Sequence, residues 1–201
     1  VSQPSHSWLS GVANLFTLEF FKLVSSRLTK GGVFSQWLNL YNMDVDALTS
    51  ILKTFYTVFP HGAVFTNRDD EELILIGSNA PVIFNVDKVR QIVTNPKFAR
   101  KLSGIPIRNA YDLLSHMTVS RKQVMEFAKD APLNTDRNAY AEVHQSRLFY
   151  AATTVPPQDF LDSHYVADYA DLLTPAQLSK PETRFELLTA MNKPNGFVKY
   201  N

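Results

Sequence analysis

Phe16-Thr17-Leu18-Glu19-Phe20-Phe21-Lys22-Leu23-Val24, followed a few residues later by Gly31-Gly32-Val33-Phe34-Ser35-Gln36-Trp37-Leu38, is the stretch that decides the fold. Apolar side chains at Phe16, Phe20, Leu23, Val24 and Leu28 recur at helical spacing, a glycine pair interrupts, and a short run rich in apolar and aromatic residues follows. The pattern predicts a helix, a stop and a buried strand. Thr17 is placed to cap the helix by accepting a backbone N–H, and Glu19 puts negative charge beside the free amides of the first turn. Arg27 and Lys30 fall near the orphan carbonyls at the other end, where Gly31 or Gly32 is expected to take the left-handed turn that ends the helix.

Working outward, Asp44 is the expected cap of a second amphipathic helix with Leu48, Ile51, Leu52, Phe55 and Phe59 on one face, closed by Pro60. Ala63 to Thr66 and Leu73 to Ile76 read as strands joined by the acidic turn Arg68-Asp69-Asp70-Glu71-Glu72. A helix between strands suggests a crossover onto a parallel sheet, whereas the short charged turn suggests antiparallel pairing of the last two strands. The expected architecture is half of an α/β domain with an antiparallel edge. The acids of the turn do not converge as metal ligands do, and a solvated turn accounts for them.

The 201 residues, 45% apolar, suffice for a core. A formal net charge of +1 provides no long-range attraction to nucleic acid or to an acidic membrane surface. With no cysteine, disulfides and thiolate metal sites are excluded. No apolar run approaches the ~20 residues needed to cross a bilayer, so no membrane contact is expected in this stretch. The five histidines have no partner four residues away, so no metal site is expected from spacing.

Val1 reads as the last residue of a strand, with Ser2 to Ser10 as the loop at its C-terminal end, where open α/β sheets place their ligands. The expectation is of a chain that opens inside a fold whose first half lies elsewhere. None of the seven glycines makes a Gly-x-Gly-x-x-Gly phosphate cradle.

Taken together, Val1-Ser2-Gln3-Pro4-Ser5-His6-Ser7-Trp8, Gly11 to Thr17, Gly31 to Leu38 and Leu73-Ile74-Leu75-Ile76-Gly77-Ser78 resemble the C-terminal half of the catalytic domain of spermidine/spermine synthase-like proteins. The likeness is to the bacterial branch in which this domain is often joined to a membrane region. It spans roughly residues 1–85, and Leu133-Asn134-Thr135-Asp136 resembles a further short motif of that branch. The resemblance implies a partial Rossmann-like sheet of the S-adenosylmethionine-dependent methyltransferase type in residues 1–80. A mainly helical extension, residues 81–201, is expected to pack on it.

The same resemblance implies aminopropyl transfer from decarboxylated S-adenosylmethionine, as co-substrate, to a polyamine such as putrescine or spermidine. It also implies a cytoplasmic location, or one on the cytoplasmic face of a bacterial membrane protein. The resemblance implies that the half that holds the nucleoside lies outside this sequence, so no cofactor is expected to bind this chain by itself. The transferases resemble one another in an acidic loop in which a carboxylate takes the proton of the attacking amine, since an ammonium is not a nucleophile. Ser2 and Ser5 occupy the two acidic positions here, and a serine hydroxyl is a poor base at neutral pH. The chain alone is therefore expected to be inactive. The alternative is a non-catalytic binding or assembly module that keeps the scaffold.

Further candidates are His6, whose titration near neutrality suits a base or a solvated loop residue, and Trp8, which suits stacking on a substrate or packing on the sheet. Gln3 lies in the same loop. Gln36 and Trp37 fall on opposite faces of their strand, and Tyr41 lies just past its end. Asp136 and Glu142 are the matching acids of the Asn-Thr-Asp motif, the first also a natural turn cap and the second in the alternating stretch Ala141-Glu142-Val143-His144. Catalytic candidates are thus Ser2, Ser5, His6 and Asp136; substrate-binding candidates are Gln3, Trp8, Gln36, Tyr41 and Glu142.

Beyond Asn79, residues 86–94, 96–102, 110–116 and 120–129 read as short helices that need a neighbour to be stable. Phe160 to Leu173, a segment opened by Thr174-Pro175, and Glu182 to Met191 are expected helices, the last with Phe185, Leu188 and Met191 at a spacing of three. An exposed sheet edge would be covered by these helices or by a second copy, so a homodimer is a further expectation.

Overall fold

The computed structural model describes residues 1–4, 7, 9–41, 43–66, 72–102, 107–148, 157–164, 168–170 and 172–191. Ser5, His6, Trp8 and the acids 69–71 lie outside them. A 3-10 turn, Ala13–Phe16, leads into helix α1, Leu18–Arg27. Thr17 caps α1 as expected, its Oγ1 accepting the Phe20 N–H at 3.4 Å. Leu28 is already extended, so α1 stops before the glycines. Gly31, at φ +73°, serves the turn into strand β1 rather than the helix end.

Strand β1, Val33–Asn39, is followed by helix α2, Val45–Val58, and the strands β2, His61–Thr66, and β3, Glu72–Ser78. Asp44 caps α2 by accepting the Ala47 N–H at 2.9 Å. Leu48, Ile51, Leu52, Phe55 and Phe59 are all fully buried, each contributing about 1.5–3 kcal/mol through apolar burial. The sheet order is β1-β3-β2-β4, and every named pair is antiparallel. Hence the crossover expectation is corrected in one respect. β1 and β2, joined by α2, run in the same direction, but β3 turns back and inserts between them, so they are not neighbours. The hairpin expected of β2 and β3 is present.

The fourth strand, β4, Met117–Ser120, was not visible in the sequence pattern. All four of its residues are buried, so it lacks the alternation that marks a half-exposed strand. Before it in the chain come α3, Val86–Thr94, α4, Pro96–Leu102, and α5, Ala110–Leu114, near the expected spans, and after it α6, Arg121–Phe127, which Ser120 and Gln123 open with a capping box. Helix α7, Tyr140–Leu148, replaces the extended segment expected at Ala141 to His144. Ala141 and Gln145, four residues apart, are its buried side.

Helix α8, Pro157–Ser163, stops well before Leu173, whose neighbourhood forms turns on Tyr169 instead. Short α9, Pro175–Leu178, carries the expected Thr174 cap. In α10, Pro181–Met191, the buried stripe is Thr183, Leu187 and Ala190, while Phe185 and Leu188 face outward, contrary to the expected spacing.

One sheet face is covered by α1, α2, α6, α7 and α8 around a cluster that includes Phe21, Phe34, Leu38, Phe55 and Leu75. On the other face Ala63, Leu114, Met117, Leu173 and Leu187 form a smaller cluster over β2 and β4. Polar groups on α2 hold the segment leading to α7. Ser50 donates to Pro132 O at 2.8 Å, Lys53 to Lys129 O and Ala131 O at 2.6 Å, and Thr54 Oγ1 accepts the Asn134 N–H at 2.8 Å.

Candidate functional site

The site grows from the end of β1. The Ser2 N–H donates to Ser35 O at 2.8 Å and the Trp37 N–H donates to Ser2 O at 3.0 Å, a parallel bridge between Ser2 and Gln36. Because Ser2 runs in the direction of β1, residues that follow it leave at the C-terminal end of β1. That is also where the chain turns through Leu40 and Met43, both buried, to the Asp44 cap of α2.

Helix α7 closes this end. Buried Ser7 donates to Gln145 Oε1 at 3.1 Å, which ties Ser7 to α7. Asn134 Oδ1 accepts the Ala141 N–H at 3.1 Å in the first turn of α7. Between these two anchors stands His144, with Nε2 2.6 Å from Asp44 Oδ2 and 3.6 Å from Asp46 Oδ2. The Tyr140 ring stacks on the imidazole, at a centroid distance of 5.2 Å and an interplanar angle of 11°.

Asp44 is 5% exposed, and both of its oxygens are engaged, Oδ1 by the Ala47 N–H and Oδ2 by His144. The buried carboxylate fixes the orientation of the imidazole through Nε2. One donor atom from each of Asp44, Asp46 and His144 lies within 4.8 Å of the others, a mixed oxygen and nitrogen set that can meet a cation.

The residues singled out from sequence are distributed unevenly about this place. Ser2 is half-buried and acts through its backbone, and Gln3 is exposed. Ser5, His6 and Trp8 lie outside the described residues. Gln36 is fully buried among the core residues of β1, its Nε2 donating to Trp37 O at 3.1 Å and its Oε1 without a partner among the described residues. Trp37 takes the opposite, half-buried face.

Tyr41, at 63% exposure, follows the strand end as expected. Asp136 is exposed, and its N–H donates to Glu19 Oε2 on α1 at 2.9 Å, so it belongs to the α1 side of the junction. Glu142 is half-buried on α7, two residues before His144. Buried Asn134 holds the Asn-Thr-Asp turn in place.

Sequence reasoning did not join His144 to Asp44 and Asp46, because the contact spans 100 residues. The available signal was Tyr140 and His144 at helical spacing four, which counts only once the segment is read as a helix. No protein-family model, curated protein or solved structure matches this chain.

Proposed function

We propose that this chain is part of a spermidine synthase-like domain with a Rossmann-like sheet of the methyltransferase type, keeping the transferase scaffold without performing aminopropyl transfer by itself. The observation that carries this is the strand arrangement. Ser2, β1 and β2 share one direction and a helix links β1 to β2, while β3, inserted between them, and β4, beyond β2, run the opposite way. The parallel bridge at Ser2 and the helix joining two strands of one direction support this reading, although the named strand pairs are antiparallel. In open α/β sheets ligands bind beyond the C-terminal ends of the parallel strands. Ser7, the Asp44 cap of α2 and α7 meet at that end.

In the parent chemistry an amine nitrogen of putrescine or spermidine attacks the aminopropyl carbon bonded to the sulfonium of decarboxylated S-adenosylmethionine. Methylthioadenosine leaves with the bond electrons, and the amine gives up a proton. That proton needs a carboxylate or another base, and a serine at position 2 supplies neither. A cytoplasmic location, or the cytoplasmic face of a bacterial membrane protein, accompanies the proposal, as does a homodimer. Nucleic acid is not proposed as a partner.

A second reading, an assembly module without ligand chemistry, is favoured by the location of Asp136 on the α1 side, away from Ser2's role in the sheet. Calorimetric titration with spermidine, methylthioadenosine and decarboxylated S-adenosylmethionine separates the two, paired with an assay for aminopropylated product. Saturable heat from spermidine or an adenosyl ligand without product is expected. No heat from any of the three, on protein shown to be folded, overturns the proposal in favour of the assembly module, and catalytic turnover overturns the claim of inactivity.

A further inference from the structure

We infer that Asp44, Asp46 and His144 form a binding site for a divalent transition metal of the zinc class. The donor set is more than an acidic patch. One carboxylate comes from the N-cap of α2, one from its first turn and one imidazole nitrogen from α7, 100 residues from Asp44, and the three donor atoms lie within 4.8 Å of one another. Tetrahedral zinc with bonds of about 2.0–2.2 Å to nitrogen and oxygen separates its donors by roughly 3.4 Å. The Asp46 to His144 separation of 3.6 Å already fits, while the 2.6 Å between Asp44 and His144 must open slightly.

The chemistry of the donors narrows the metal. Magnesium prefers an octahedral set of oxygens and keeps its waters, whereas a neutral imidazole nitrogen suits zinc and its transition-metal neighbours. Zinc binds the lone pair of Nε2, so a proton resting on Nε2 first moves through solvent to Nδ1 and the imidazole ligand stays neutral. Three protein ligands leave a fourth position for water or another ligand.

The site is also held before any metal arrives. Asp44 Oδ1 is fixed by the Ala47 N–H, the imidazole lies flat against Tyr140, and α7 is anchored on either side of His144 by the Asn134 to Ala141 and Ser7 to Gln145 hydrogen bonds. Ligand side chains fixed in this way lose little freedom when the metal binds. The inference does not depend on the transferase scaffold, since it uses only these side chains.

The test is calorimetric titration of metal-free protein with Zn²⁺ alone, and in parallel with Mg²⁺, together with the thermal midpoint in each metal. Saturable one-to-one binding of Zn²⁺ that raises the midpoint is expected, with no comparable effect of Mg²⁺. Asp46→Asn and His144→Gln should each weaken Zn²⁺ binding by about tenfold or more while the metal-free protein keeps its circular dichroism. Asp46 is 69% exposed at its side chain, so its replacement leaves the core untouched. Absence of Zn²⁺ binding to the folded protein overturns the inference, and so does binding undiminished in both variants, which would place the metal on other histidines. Because spermidine and adenosyl ligands are absent from this titration, its outcome is separate from that of the transferase proposal.

Discussion

Asn134 and Thr54, eighty residues apart, meet through a 2.8 Å hydrogen bond from the Asn134 N–H to Thr54 Oγ1. Thr54 in turn donates to Ser50 O within α2, so the contact ties the segment before α7 to the central helix. Asn134 makes three more bonds: its carbonyl accepts the Leu18 N–H at 2.8 Å, its Nδ2 donates to Phe16 O at 3.0 Å, and its Oδ1 accepts the Ala141 N–H. One buried residue thus joins α1, α2 and α7.

Asn134→Ala should therefore be severe. It strands the Phe16 carbonyl and the Ala141 amide, and an unsatisfied buried group costs about 1–3 kcal/mol. A combined loss of roughly 2–5 kcal/mol is expected from urea unfolding. A loss below about 1 kcal/mol would show that water reaches these groups and that the junction is not structural.

Asp44 separates two roles that a single substitution can distinguish. Asp44→Ala removes both the cap of α2 and the partner of His144, with an expected loss of about 1–2 kcal/mol from the cap. Asp44→Asn retains an equivalent capping oxygen and should cost much less. Equal denaturant midpoints for the two variants would mean that the cap contributes nothing and only the charge matters.

Gly62 and Gly77 face each other across β2 and β3 and are both required to be glycine, for different reasons. A Cβ on Gly62 would lie 1.8 Å from Ile76 O, at a φ of +146° that side chains rarely adopt. A Cβ on Gly77 would lie 2.7 Å from the rings of both Phe55 and Phe59. Gly77→Ala should cost about 1–3 kcal/mol by overpacking the helix against the sheet. Gly62→Ala should cost more, because the obstacle is backbone. The reverse order of thermal midpoints would show that α2, and not the hairpin, is the rigid partner.

His116, between α5 and β4, is held below its ordinary pKa of 6.5, chiefly by burial. A hydrogen bond with the Thr66 backbone and the charge of Asp112 oppose the shift without cancelling it. The unfolded chain takes up this proton first as pH falls. The contribution of His116 to stability is thus complete above pH 6.5 and declines below it, until the folded protein's lower pKa is passed. Thermal midpoints across this window should fall more steeply in the wild type than in His116→Gln. Parallel curves would remove His116 as a source of acid sensitivity.

Local signals were sufficient for α1, α2, β2, β3 and most of the short helices. Thr17, Asp44, Ser120 and Thr174 cap where a short polar side chain precedes an apolar run, because a cap is decided within three residues. The same reasoning ended α1 too late, since the glycine pair belongs to the next turn.

What the amino-acid sequence determined by itself was the existence and order of these elements and the apolar face of α2. Only the tertiary structure decided that β3 would insert between β1 and β2, that β4 would close the sheet, and that residues 140–148 would coil rather than extend. Strand neighbours are chosen by hydrogen bonds between distant segments, and a four-residue strand buried on both faces leaves no periodic trace. Residues 140–148 have weak helical patterning of their own, and Asn134, Ser7 and α2 supply the contacts that favour a helix there. The meeting of His144 with Asp44 and Asp46 has the same origin: neither side carries a recognisable ligand spacing, and packing α7 on α2 brings the donors together.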